Sequence, residues 1–130
     1  MKYTFYCKGH PHIRGTHRNT LEFTKDGELT LKGDCIVGVS ADFNRRELEK
    51  FLSARMIQIT ITCKEISETV TCIPHKDFCS EHEMVIRISD FASDRTFGIR
   101  SNKGAQDLSR ELISAMQRDE VIEVCVEDTN

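Results

Sequence analysis

The chain has 130 residues, of which 38% are hydrophobic and 30% charged, with a formal net charge of −3. That length suits one domain around one core, and the two prolines and seven glycines exclude a fibrous repeat or a disordered chain. The acidic balance argues against wholesale binding to nucleic acid or an anionic membrane, and no apolar stretch nears the roughly 20 residues that cross a bilayer.

Residues 3–8 alternate aromatic and polar side chains and are expected to form a strand that ends at Gly9-His10-Pro11. No signal-peptide core is visible before it, so a cytoplasmic location is expected. Residues 10–19 have no period and read as a loop. Residues 20–24 alternate again, Lys25-Asp26-Gly27-Glu28 is a turn, and residues 29–31 are expected to return as a hairpin partner. Gly33 and Gly38 bracket a short strand, Asp34-Cys35-Ile36-Val37.

Asn44 with Glu47 three positions later is a helix-start pattern, and Leu48, Phe51 and Leu52 then share a face, which predicts a helix to about residue 55. Ile57, Ile59, Ile61 and Cys63 alternate with polar residues as in a half-buried strand, followed by another ending near Pro74. Residues 84–88 and 95–100 predict two more. Ser101 or Asn102 is expected to cap a second helix with an apolar stripe of Ala105, Leu108, Leu112, Ala115 and Met116. Residues 121–126 predict the last strand, and 127–130 a frayed tail. Roughly six to eight short strands with two helices that do not alternate with them predict an α+β fold. It is expected to be mainly antiparallel β, as a sandwich or open barrel in a single domain over residues 1–130.

The loop Gly9-His10-Pro11-His12-Ile13-Arg14-Gly15-Thr16-His17-Arg18-Asn19-Thr20 concentrates histidine, arginine and threonine beside glycines and contains no acid. Donors next to approachable backbone are how proteins hold phosphate or carboxylate groups. An exposed polar loop without a ligand has the same composition. Neither a Walker A spacing nor a dinucleotide fingerprint occurs, so no cofactor is specified. His10, His17 and Glu22, with Asp34 or Asp42, are an alternative set of ligands for a catalytic divalent metal. Cys72, His75, Cys79 and His82 form two Cys-x-x-His pairs of the kind zinc takes, but only Lys76-Asp77-Phe78 separates them, which favours an ordinary polar connection. Without an export signal the six cysteines read as thiols rather than disulfides. Cys63 and Cys125 are expected in the core, and Cys35, with Asp34 beside it, is not favoured as a thiolate.

Charge is uneven along the chain. Lys2, Lys8, Arg14 and Arg18 precede the first acid, whereas Asp119, Glu120, Glu123, Glu127 and Asp128 close the sequence without a base. The two ends are therefore expected either to attract each other on neighbouring strands or to leave an anion site. Arg45, Arg46 and Lys103 near the predicted helix starts are unfavourable to the helix dipole, a penalty that solvation, nearby acids or a bound anion offsets.

Gly9-His10-Pro11, Thr16-His17, Thr20-Leu21-Glu22, Leu29-Thr30, Gly33-Asp34-Cys35-Ile36, Gly38-Val39, Arg95-Thr96 and Lys103-Gly104-Ala105 together resemble the archaeal domain of unknown function family numbered 371. The resemblance spans nearly the whole chain. It implies a β-rich, sandwich-like fold and an archaeal cytoplasm, and it carries no established activity. It also implies that His10, Thr16, His17, Thr20, Glu22, Gly33, Asp34, Asp42, Arg95 and Lys103 stand at motif positions. The family more often carries Asn where this chain has His12, which weakens a ligand role there.

The leading expectation is a binding or catalytic pocket for a small anionic or phosphate-bearing ligand, built from His10, Arg14, Thr16, His17, Thr20, Glu22, Asp34, Asp42, Arg95 and Lys103. On this reading His10, Arg14 and His17 serve the ligand and contribute little to stability. The rivals are an interaction domain that docks on protein or RNA, and a metal-dependent hydrolase.

Overall fold

In a computed structural model, residues 1–129 are described. The strands are β1 (Lys2–Lys8), β2 (Thr20–Thr24), β3 (Ile36–Gly38), β4 (Met56–Cys63), β5 (Ile66–Pro74), β6 (Glu83–Arg87), β7 (Thr96–Ile99) and β8 (Val121–Thr129). Helix α1 (Arg45–Glu49) lies between β3 and β4, and α2 (Arg110–Met116) between β7 and β8. The fold is α+β, with one sheet in the order β1-β8-β4-β5-β7-β6-β2-β3 that is not closed into a barrel. Pairing is antiparallel except between β2 and β3 and between β6 and β7.

Two halves are visible in this sheet. The β1-β8-β4-β5 half has long, regular ladders, and it joins the β7-β6-β2-β3 half only where Ile73 and Pro74 pair with Ile99 and Gly98. At the other end a single bridge, Lys8 to Val39, links the edge strands. The halves face each other across the core: the Phe5 ring of β1 meets Phe23 of β2 edge-on at 5.8 Å and Phe43 at 5.5 Å. Fully burying a large apolar side chain of this kind stabilises by about 1.5–3 kcal/mol before entropy is counted.

Several expected elements differ. Residues 29–31 do not form the hairpin partner of β2, because the backbone after β2 is already engaged: Ala41 N–H donates to Thr24 O and Ser40 N–H to Asp26 O. Leu29 is buried without joining a ladder, and a turn closed by Gly33 N–H on Thr30 O follows it. The partners of β2 are instead β6 and β3. Asn44 does cap α1, with its side chain accepting from Arg46 N–H, but the helix gives way after Glu49 to turns that bury Phe51. The second helix begins late. Ser101 and Asn102 bond to Lys103 O and Thr71 N–H, a short 3-10 turn spans Ala105–Asp107, and Ser109 caps α2.

The tail is ordered through Thr129, since β8 pairs with both β1 and β4 and the Met1 amine lies 2.9 Å from Asp128; Asn130 of the expected frayed tail lies outside the described residues. Lys2 stands opposite Glu127, so the basic and acidic ends do meet on neighbouring strands. All six cysteines are free thiols; Cys63 is in the core and Cys125 is half-buried. Among the described residues no helix is long and apolar enough to cross a membrane.

Candidate functional site

In β2 every residue is buried, although the sequence alternates. Leu21 and Phe23 enter the core, which leaves Thr20, Glu22 and Thr24 on the opposite face. The register with β6 sets Thr20 opposite Arg87, Glu22 opposite Val85 and Thr24 opposite Glu83, and β7 brings Thr96 beside Val85. Polar groups shut away from water are costly unless partnered. Thr20 Oγ1 accepts from Arg87 Nη1, Thr24 Oγ1 from Asp26 N–H and Thr96 Oγ1 from Ser93 N–H.

Glu22 is the exception in chemistry. The residue is 6% exposed, with the Cys35 thiol 3.7 Å from Oε1 and the Arg95 guanidinium at 3.9 Å. Arg95 is shared, because it also pairs closely with Glu83. Burial, followed by hydrogen bonding and charge repulsion with Glu83, pushes Glu22 up to about 7 despite the cation. This group therefore exchanges its proton near neutrality. Burial and then the Glu22 and Asp34 charges push the Cys35 thiol up to about 12, so it stays protonated and is no nucleophile at neutral pH.

The loop preceding β2 is bound along much of its length. Thr16 N–H and His17 N–H both donate to Asp34 O, and Glu22 N–H donates to Cys35 O, which ties the end of the loop and β2 to one short segment. His17 Nδ1 accepts from both Asn19 N–H and Thr20 N–H, so its proton resides on Nε2 when the ring is neutral. This imidazole caps the start of β2, a structural duty not expected of it.

Further back, His10 Nδ1 accepts from His12 N–H, and His12 Nδ1 lies 2.8 Å from Leu29 O. The Arg110 guanidinium donates to the carbonyls of Arg14, Gly15, Ala105 and Leu108, and Gln117 Nε2 donates to Ile13 O. Gly15 has φ +59°, and a Cβ there would stand 2.4 Å from Ile113 Cδ1. The side chains of Arg14, Thr16 and Arg18 remain exposed.

Over residues 5–128 the sequence matches the family described as Domain of unknown function (DUF371). The chain belongs to that family. An uncharacterised protein of Methanocaldococcus jannaschii is 36% identical over 124 residues, spanning 90% of this chain and 92% of the relative.

In this DUF371 domain the candidate residues are spread over several places. Thr16, His17, Thr20, Glu22, Asp34 and Arg95 are linked through the bonds just described. His10 instead lines a cleft of about 350 Å³ with Lys8, Gly27, Ser40 and Asp119. Asp42 accepts from Tyr6 N–H and borders a hollow of about 640 Å³ with Lys25, Phe43 and Arg45. Lys103 is 3.2 Å from Glu68. Burial raises the Glu68 carboxyl, but Ser109 N–H and Lys103 outweigh that and hold it below the usual range.

Neither metal alternative is gathered: among the described residues no three or more His, Cys, Asp or Glu side chains are grouped to hold a metal ion. Cys72 is buried against Gly98, Cys79 is exposed and His82 is 2.7 Å from Asp26. Glu83 and Arg110 escaped the sequence reading. Glu83 acts on Glu22 and Arg110 binds Gly15 O, both distant along the chain, and no local pattern marks either.

Proposed function

We propose that the domain binds a small anionic ligand on the outer side of β2, where residues 16–20, Asp34-Cys35 and Arg95 meet, and that Glu22 holds the proton that makes binding favourable. One observation carries this reading: a carboxyl buried beside a second carboxyl, with its proton exchanging near pH 7, lies next to a loop whose exposed Arg14 and Arg18 are cationic. A protonated carboxyl donates a hydrogen bond to an anion, whereas a carboxylate repels it. Binding therefore takes up a proton at Glu22, and affinity falls as pH rises through about 7. Arg95 keeps Glu83 neutralised while this happens.

Inorganic sulfate tests the reading, because its charge is constant between about pH 6 and pH 8. Binding followed by NMR at the Glu22, Cys35 and His17 signals is expected to weaken about tenfold over that range, the ratio set by a group titrating near 7. Glu22→Gln is expected to flatten the dependence. Persistence of the full pH dependence in Glu22→Gln would assign the effect to another group and overturn the reading. If sulfate moves none of these signals, the interaction domain docking on protein or RNA becomes the better reading.

A further inference from the structure

One hollow among the described residues shares no lining residue with the Glu22 cluster. It measures about 640 Å³ and is walled by Lys25, Asp42, Phe43, Asn44, Arg45, Arg46 and Glu81. Sites for small molecules span roughly 300–1,000 Å³, so the space suffices for one. Its walls carry three cationic side chains and two carboxylates, an excess of positive charge on a chain whose net charge is −3.

Among the described residues Arg45 alone of these cations pairs with a carboxylate of the wall, while Lys25 and Arg46 have none within ion-pair distance. Asp42 Oδ1 is committed to Tyr6 N–H, and Glu81, 75% exposed, stands 3.8 Å from Arg45. Asp26, the chain neighbour of Lys25, is engaged with His82. Lys25 Nζ rests 4.6 Å over the Phe43 ring, and among the described residues it has no carboxylate partner. Arg45 Nε is shut off from solvent without a hydrogen-bond partner, its nearest carboxylate, Glu49, being 3.7 Å away. Phe43 itself is 1% exposed and its ring packs on Phe5, so the space offers an apolar ligand very little.

Three cations along one lining, one from the connection after β2 and two from α1, suit a ligand with charge at more than one point. We propose that this hollow is a second binding site, taking a small polyanion of the pyrophosphate class, with Lys25, Arg45 and Arg46 as its contacts. The site does not depend on Glu22, so it operates at alkaline pH where the proposed sulfate site is weakened.

Calorimetric titration of the full chain with inorganic pyrophosphate at about pH 8 and constant ionic strength tests this. Saturable binding at one equivalent is expected. Lys25→Ala and Arg46→Ala should each weaken it about tenfold, as for loss of one charge-assisted hydrogen bond. Glu22→Gln should leave it unchanged, which separates its fate from that of the sulfate site. Lys50→Ala removes a cation of the same region that is already paired with Glu47 and does not line the hollow. Absence of saturable binding overturns the proposal, and so does a loss in Lys50→Ala equal to that in Arg46→Ala, which would mean diffuse attraction.

Discussion

Strands β4 and β2 carry similar alternating patterns and end in opposite circumstances. In β4 the apolar residues Ile57, Ile59, Ile61 and Cys63 are buried, while Gln58, Thr60 and Thr62 are half-exposed. In β2 the polar residues Thr20, Glu22 and Thr24 are as buried as Leu21 and Phe23. Alternation thus identifies the face that enters the core, but it does not say whether the other face meets water. Where it does not, each polar side chain needs a partner, and Glu22 lies in surroundings that hold its proton up to about pH 7.

The two strands should behave alike on the core face. Leu21→Ala and Ile59→Ala, both fully buried, should each cost about 2–5 kcal/mol in urea unfolding. A much smaller loss at Leu21 would mean that the β2 half packs loosely.

The polar faces should separate the strands. Glu22 is raised in the folded state from an ordinary 4.5 to about 7, so below about pH 4.5 it is protonated whether folded or not and contributes no pH dependence. As pH rises through the interval the unfolded chain releases this proton first, and folding becomes less favourable, by up to about 3 kcal/mol once pH exceeds 7. Glu22→Gln should remove most of that decline, measured as unfolding free energy at about pH 5 and pH 8. An unchanged decline would move its source elsewhere.

Arg95→Ala leaves Glu22 and Glu83 without their shared cation. It should raise Glu22 further and cost about 1–2 kcal/mol at pH 8, a figure reduced because Arg95 is 43% exposed. His17→Ala frees two backbone donors at the start of β2 and should cost a similar amount, about 1–2 kcal/mol, more than a ligand-only histidine would. At the small end, Arg14→Ala is exposed and should stay within about 0.5 kcal/mol. Thr60→Ala on the wetter face of β4 should cost no more than about 1 kcal/mol.

The contrast also explains what the sequence made legible. Strands β1, β4, β5 and β8 are readable because one face is wet and the period of two survives in the residue types. The partner of β2 was not, since Leu29 looks like the start of a returning strand, and nothing local reveals that residues 40–41 take the bonds it would need. Once β6 is known as the partner, Glu83 and Arg95 come beside Glu22, but that requires pairing over some sixty residues. The loop histidines were recognisable as unusual. Their ring nitrogens as backbone acceptors were not, and Arg110, which binds Gly15 O from 95 residues away, has no sequence signature.

The strand that opens the chain has a kinetic consequence. The extended ladder of β1 is with β8, and its other backbone bonds reach residues 39 and 42. As the polypeptide leaves the ribosome, β1 therefore waits beside an incomplete sheet until residues 121–129 emerge. A long-range pairing of this kind closes late and slowly, on the millisecond-to-second scale typical of sheet-rich domains. Until then the unpaired edges of β1 and β4 are the surfaces on which newly made chains would stick to one another.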